Sequence, residues 1–391
     1  MLDSKASLNI FVLIQLACIL LKLTIVSGPV LSVLNYTVTL WSFYVFCQIM
    51  LNIKYEPAVI KALAAFYILL AVYGLVVVAQ GKTFVVGMRD VRTVVNLSYI
   101  VKVSWSLLPI FVFYQYSKKG LLTDLYMQKW IFVFVVVATI SYFLVLEVAQ
   151  MRHDEGDEAT NNGGYEVLSL IPMLLFLKTR SIKQYLMFGY CLLLVFYSMK
   201  RGAILIGGIT AMVYFVFLLR NSSRSARFSV LFALFIAMAG SYYYFDKMLA
   251  TSEYFQERVD DTMEGDTSGR DVIQGFFIDY YLNEASTTEQ VIGGGANRTL
   301  ELFNMYAHND WIELAINQGL IGMFLYLVFW IAFARVLFKR DIPPIERTAL
   351  IMLFFIYFMK TLFSMSYSDY TLYSSMVLGY CLAVYREYRV A

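Results

Sequence analysis

The chain has 391 residues, of which 60% are hydrophobic, 17% aromatic and 15% charged, with a formal net charge of +3. Soluble domains carry roughly 25% charged residues, so the composition excludes an ordinary soluble globular protein and points to an integral membrane protein. Two histidines and four cysteines in such a length also leave few side chains for redox or metal chemistry.

A bilayer core takes about 20 mainly apolar residues per helical span. Such runs recur at 8–26, 31–52, 59–80, 97–116, 129–149, 165–178, 184–199, 202–219, 227–245, 316–338, 348–364 and 370–386. The expected fold is all-α and membrane-integral, with about twelve transmembrane helices and one large extramembrane loop. Residues 1–245 form a bundle of about nine spans, 246–315 the loop, and 316–391 the last three spans that complete the bundle. The first run lacks a basic segment before it and a small-x-small cleavage site, so it reads as a span rather than a signal peptide. The sixth and seventh runs are short, and a tilt or bend is expected near Pro172. Cys18, Cys47, Cys191 and Cys381 all fall inside apolar runs and read as small packing residues.

Lys and Arg gather in alternate short loops, at Lys54 and Lys61, Lys118 to Lys129, Lys178 to Lys183, Arg220 to Arg227, Lys339 to Arg347, and Arg386 with Arg389. By the positive-inside bias that side is cytoplasmic and holds both termini. The opposite side carries the acidic stretch "MRHDEGDEATNNGG" at 151–164 and the long loop. His153 in that stretch reads as a surface residue, and its spacing fits no EF-hand. The outer side nevertheless carries Lys82, Arg89 and Arg92, then Lys200 and Arg201 at a tight turn, then Arg258, Arg270 and Arg298. An anionic ligand accounts for them collectively, since Arg binds phosphate oxygens bidentately. For Lys200 and Arg201 the alternative is snorkelling to lipid headgroups.

"HNDWIELAINQGLIG", 308–322, places a histidine just ahead of an apolar run. Asp310 followed by Glu313 fits a capping box, so a helix is expected to start near Asp310 with Asn309, Glu313 and Asn317 on one polar stripe. The positive end of that helix disfavours an imidazolium at His308, and a neutral imidazole can act as a general base. The alternative is a histidine that only ties loop to helix. "IGGGANR", 292–298, fits neither a Walker loop nor a dinucleotide fingerprint, and reads as a turn that lets the backbone approach another element closely.

In order along the chain, "YSMKRGAILIGG" (197–208), "SGRDVIQGFF" (268–277), "VIGGGANR" (291–298) and "HNDWIELAINQGLIG" (308–322) together resemble the bacterial O-antigen ligase and Wzy-type O-antigen polymerase superfamily. The motif-bearing part runs from Tyr197 to Gly322, and Met199-Lys200 stands where a small residue and Ser usually precede the Arg. The resemblance implies a fold similar to the C-type membrane glycosyltransferases of the bacterial inner membrane. It implies a metal-independent inverting enzyme, without cofactor, that joins undecaprenyl-pyrophosphate-linked repeat units at the periplasmic face. His308, Arg270 and Arg201 then take the catalytic positions, with Lys200, Arg89, Arg92, Arg298, Asn309 and Tyr306 as substrate-binding candidates. The gap "SGPVL" before the second span has no carboxylate, which favours metal independence. The implied partners are the lipid-linked glycan donor and acceptor, membrane lipid and, for a polymerase, a chain-length regulator; no nucleic acid is expected. Polymerase is the leading expectation and ligase, with lipid A-core as acceptor, its alternative. A flippase for a lipid-linked sugar is the alternative from another class, in which Lys22, Lys102, Arg335 and Lys360 would line the pathway.

Overall fold

The computed structural model describes residues 4–21, 28–86, 92–150, 161–177, 182–221 and 269–390, with isolated positions between 223 and 260. The chain is predominantly helical. In order it forms α1 (Lys5–Leu21), α2 (Gly28–Met50), α3 (Ala58–Ala79), the hairpin β1 (Thr83–Val86) and β2 (Arg92–Val95), α4 (Asn96–Lys118), α5 (Asp124–Gln150), α6 (Gly163–Leu170), α7 (Ile182–Tyr197) and α8 (Arg201–Arg220). After the loop's described start come α9 (Arg270–Asp279), α10 (Thr287–Ile292), α11 (Arg298–Phe303), α12 (Asp310–Leu337), α13 (Pro344–Phe363) and α14 (Leu372–Val390).

Helices cover the expected apolar runs within the described residues; the run at 227–245 lies almost wholly outside them, as do His153, Lys22, Arg89 and Arg258. Among the described residues, five helices are long and apolar enough to cross a membrane by length and composition: Gly28–Met50, Ala58–Ala79, Asp124–Glu147, Arg201–Arg220 and Asp310–Leu337. The bend expected near Pro172 takes the form of a 3₁₀ stretch, Ile171–Phe176, continuing α6. Two features differ from the sequence reading. The gap after α3 is an antiparallel hairpin pairing Thr83 with Val95 and Val86 with Arg92, which the β-branched "TFVV" and "RTVV" favour. Cys47 is exposed on α2, whereas Cys18, Cys191 and Cys381 are buried as expected.

Helix α4 is central, packed along α2, α3 and α14, while α12 packs along α3 and α13 along α8. Several of its buried polar side chains are paired, as buried polar groups generally are. Tyr67 and Ser104 hydroxyls lie 2.9 Å apart, Ser106 Oγ donates to the Tyr367 carbonyl at 3.1 Å and accepts from the Tyr370 N–H at 2.7 Å, and Gln318 Nε2 donates to Tyr99 at 3.0 Å. Aromatic contacts join the helices. Phe66 of α3 stacks on Tyr326 of α12 at 4.8 Å, and Trp330 meets Phe354 and Phe358 of α13 edge-on at 5.5 and 5.2 Å. Such pairs contribute about 0.5–1.5 kcal/mol each beyond their buried area.

At the opposite end of α4 from the hairpin, a buried carboxylate ties three elements. Glu56, which follows α2, accepts from Lys118 Nζ of α4 at 2.6 Å, pairs with Arg386 of α14 at 3.3 Å and takes the Tyr114 hydroxyl. Burying a carboxylate is tolerable only with such a full set of partners.

Candidate functional site

The loop before α12 is fixed to the helical body at two places where helix carbonyls lack an internal partner. The first is a break inside α12. Gly319 has φ 63° and ψ −162°, a conformation open essentially to glycine alone. The break frees the carbonyls of Ile316 and Asn317, and the N–H groups of Gly294 and Gly295 donate to them at 2.9 and 3.0 Å. Gly293 (φ 80°) passes so close that an added Cβ would lie 2.5 Å from the Gln318 nitrogen and nearer still to the Asn317 carbonyl oxygen. The close approach expected of the glycine triplet is therefore to α12.

The second place is the C-terminal end of α13, whose last carbonyls are exposed donors' targets in any helix. Arg270 Nη1, at the start of α9, donates to the Phe363 carbonyl at 2.7 Å. Asn309 Nδ2 donates to the Leu362 carbonyl at 3.3 Å, while its Oδ1 accepts from the N–H groups of Trp311 and Ile312. Asn309 is thus the N-cap of α12. This corrects the capping box expected at Asp310 and Glu313. Both carboxylates are instead fully buried: Asp310 accepts from the Tyr326 hydroxyl at 2.6 Å and the Ser366 N–H at 2.8 Å, and Glu313 from Thr299, Ala307 N–H and Asn317 at 2.6, 2.9 and 2.8 Å. A capping box does occur in the loop, at Ser286 and Glu289 of α10.

His308, between these anchors, has left-handed backbone (φ 53°). A non-glycine residue held there costs on the order of 1–2 kcal/mol, and such strain gathers at functional sites. His308 is exposed to solvent, yet enough protein surrounds its imidazole to desolvate it in part. That partial desolvation first, and then the charges of Arg270, Lys200 and Lys102, lower its pKa from the ordinary 6.5. The three cations come from α9, the turn before α8, and α4. In that turn Met199 is also left-handed (φ 50°), and Ser198 accepts from the Asn161 N–H at 2.9 Å. Lys200 and Arg201 thereby start α8 at the same end of the molecule as the loop.

A cavity of about 150 Å³ is lined by Tyr99, Lys102, Tyr306, Glu313 and Tyr367 among others, but not by His308. Lys102 lines it and also holds its ammonium 4.9 Å over the Tyr306 ring, so one cation bears on both the histidine and the cavity. Burial, with Glu313 behind it, pushes the Tyr306 hydroxyl up to about 12, which keeps it protonated.

His308, Arg270, Lys200 and Tyr306 are thus brought together, and Arg201 adjoins them in the chain. Arg298 serves a different neighbourhood: it pairs with Glu289 at 3.1 Å and Glu301 at 3.0 Å and donates to Tyr280 at 3.0 Å. Lys82 adds a second cation to Glu301 at 3.0 Å, linking the hairpin's edge to α11. Despite opposing burial, hydrogen bonds from Lys82 and Arg298 hold Glu301 below its usual range. Arg92 begins β2, with its side chain outside what the structure describes, and Arg89 lies outside the described residues. The sequence reading marked Lys102 as a functional cation inside an apolar run but assigned it to a transporter's pathway, whereas its charge bears on His308. Among the described residues no group of three or more His, Cys, Asp or Glu converges as a metal site needs.

No family model matches the chain, and no curated protein is significantly similar to it.

Proposed function

We propose that this chain is a membrane glycosyltransferase that joins undecaprenyl-pyrophosphate-linked repeat units of a surface polysaccharide, without metal or cofactor, at the periplasmic face of the bacterial inner membrane. The reading takes the twelve-span topology, the cytoplasmic termini and the periplasmic loop from the sequence pattern. The observation that carries it is His308: a strained, accessible imidazole with a lowered pKa, faced by Arg270, Lys200 and Lys102 from three separate elements.

In this reaction the acceptor hydroxyl oxygen bonds to the anomeric carbon of the donor as the bond from that carbon to the pyrophosphate oxygen breaks. The hydroxyl proton passes to His308, which is neutral at working pH because its pKa is lowered. The electron pair leaves with the pyrophosphate, whose added charge Arg270, Lys200 and Arg201 stabilise. A single displacement inverts the anomeric configuration. Asn309 and Arg298 hold the loop in place instead of touching substrate.

The test is to purify the wild type and His308→Ala and incubate each with a lipid-linked repeat unit in EDTA, following glycan length on a gel. A ladder from the wild type, lost in the folded mutant, supports the reading. Transfer that appears only on adding lipid A-core assigns a ligase. Equal activity of the mutant removes His308 from the mechanism, and no transfer to either acceptor refutes the enzyme reading in favour of lipid-linked sugar transport.

A further inference from the structure

Helix α10 ends in Val291 and Ile292, which are 42% and 44% exposed although they belong to the loop and to none of the apolar runs. A lone exposed aliphatic residue needs no explanation, so the surroundings of these two decide what they mean. The backbone of Val291 lies against the break in α12, since a Cβ added at Gly319 would stand 2.5 Å from the Val291 carbonyl oxygen. The Ile292 carbonyl accepts the hydroxyl of Tyr73 on α3. Ahead of the break no residue of α12 is exposed. Directly after it Leu320 is 52% and Phe324 63% exposed, and with Ile321 and Leu327 they form one apolar face. Helix α3 likewise shows Ile68, Val72, Leu75 and Val76. Both helices are long and apolar enough to cross a bilayer, and Val291 and Ile292 lie where α12 leaves its protein cover.

The loop also reaches below the polar end of α3. That helix is capped by Gln80, and Tyr73 precedes the cap by seven residues, roughly 10 Å along the axis. Gly295 passes α3 at Val77, whose methyl would stand 3.9 Å from an added Cβ. The turn between these contacts therefore runs alongside apolar helix. Backbone at membrane depth must find its hydrogen bonds within the protein, and this turn does so. The Gly293 N–H donates to the Glu289 carbonyl at 2.7 Å, those of Gly294 and Gly295 donate to α12, and the Ile292 carbonyl takes the Tyr73 hydroxyl. A turn in water has no such need.

We propose that the turn at 291–295 is inserted into the leaflet on the loop's side of the membrane, with Val291 and Ile292 against its acyl chains. The partner is lipid by continuity, because the two residues extend the apolar surface that α3 and α12 present to a bilayer. The loop that carries His308 is then held at a fixed height by lipid as well as by the break in α12. Lipid contact here requires only that the helices span a bilayer, and it is independent of the transferase reading.

The experiment uses the full chain in phosphatidylcholine nanodiscs, with Cys47→Ser removing its exposed thiol. One nitroxide at a time is attached at Ile292→Cys, at Phe324→Cys as the lipid-facing reference, and at Asp341→Cys, in the exposed turn after α12, as the aqueous one. Val291→Cys replaces Ile292→Cys should gel filtration show that the latter does not fold. Power saturation compares collisions with oxygen, which concentrates among acyl chains, and with a water-soluble nickel chelate, which stays outside. The expected result is an oxygen-to-nickel ratio at Ile292 shifted from the Asp341 value to the Phe324 value. A ratio equal to that at Asp341 places the turn in water and overturns the inference. Few collisions with either reagent, together with dipolar broadening between labels, place a second copy of the chain on this face and overturn it equally.

Discussion

Replacing Gly293 with alanine tests how the loop is held. At this position φ is 80° and ψ 167°, and the new Cβ would meet three backbone atoms of Asn317 and Gln318, the Gln318 nitrogen at 2.5 Å. Backbone cannot swing aside as a side-chain tip can, so the loop must move off α12. The backbone strain costs about 1–2 kcal/mol and forced overpacking about 1–3 kcal/mol, giving roughly 2–5 kcal/mol. Two neighbours separate these contributions. Gly295 also has positive φ (109°), but its Cβ would meet only Val77 at 3.9 Å, so Gly295→Ala carries the strain alone, about 1–2 kcal/mol. Gly294 has no such strain, and its Cβ would meet the Arg298 side chain at 2.5 Å, which can shift at a cost below about 1–3 kcal/mol. Unfolding in detergent, followed by tryptophan fluorescence against denaturant, should rank Gly293→Ala as the least stable. Equal stability of Gly293→Ala and Gly295→Ala would refute the close approach to α12 as the anchor.

Lys200→Met removes one of the charges that lower the His308 pKa, so the acid limb of the transfer rate should move to higher pH, toward 6.5, while Lys200→Arg leaves it in place. The sign for stability follows: the folded state disfavours the imidazolium, so the unfolded chain binds the proton first and stability falls as pH drops from 6.5 toward the lowered folded value; an acid limb unmoved by Lys200→Met would refute the coupling. Arg298→Ala leaves Glu289 and Glu301 without their shared cation, and hydrogen exchange should rise across 287–303 by about five- to tenfold, the equivalent of about 1 kcal/mol. Glu56→Gln leaves Lys118 and Arg386 facing each other without a counter-charge; because both cations reach solvent, the expected loss of stability is roughly 1–3 kcal/mol, read as a lower unfolding midpoint in detergent.

The helices were legible because a span needs only length and apolarity, both visible in one window of sequence. His308 and its position ahead of a helix were legible for a similar reason: the start of a helix is written within four residues. The cap itself was assigned one residue late. Asn309, Asp310 and Glu313 all suit a helix start, and sequence cannot tell that Asp310 would be drawn inward by the Tyr326 hydroxyl and the Ser366 N–H, 16 and 56 residues away. The same limit explains Arg298. Its charge was visible as an outer cation, but its two carboxylates lie in α10 and α11, and only folding of the loop shows that they neutralise it. Lys102 was visible too, though its partner ring, Tyr306, is distant in the chain. The hairpin's β-branched residues carried a local signal that a reading dominated by apolar run length passed over.

What assembles the site is the need of helix ends for hydrogen-bond partners. A helix that stops or breaks exposes carbonyls that must be satisfied, and here the partners are loop groups that precede the histidine or follow it directly. Gly294 and Gly295 serve the break in α12, and Arg270 and Asn309 serve the end of α13. Asn309 adjoins His308, so the bond that closes α13 also fixes where the imidazole stands. Arg270 has a double consequence: the guanidinium carries five N–H donors, and the one given to Phe363 holds its positive charge beside His308. The scaffold and the electrostatics of the site are therefore set by the same side chain, and neither can be altered at Arg270 without the other.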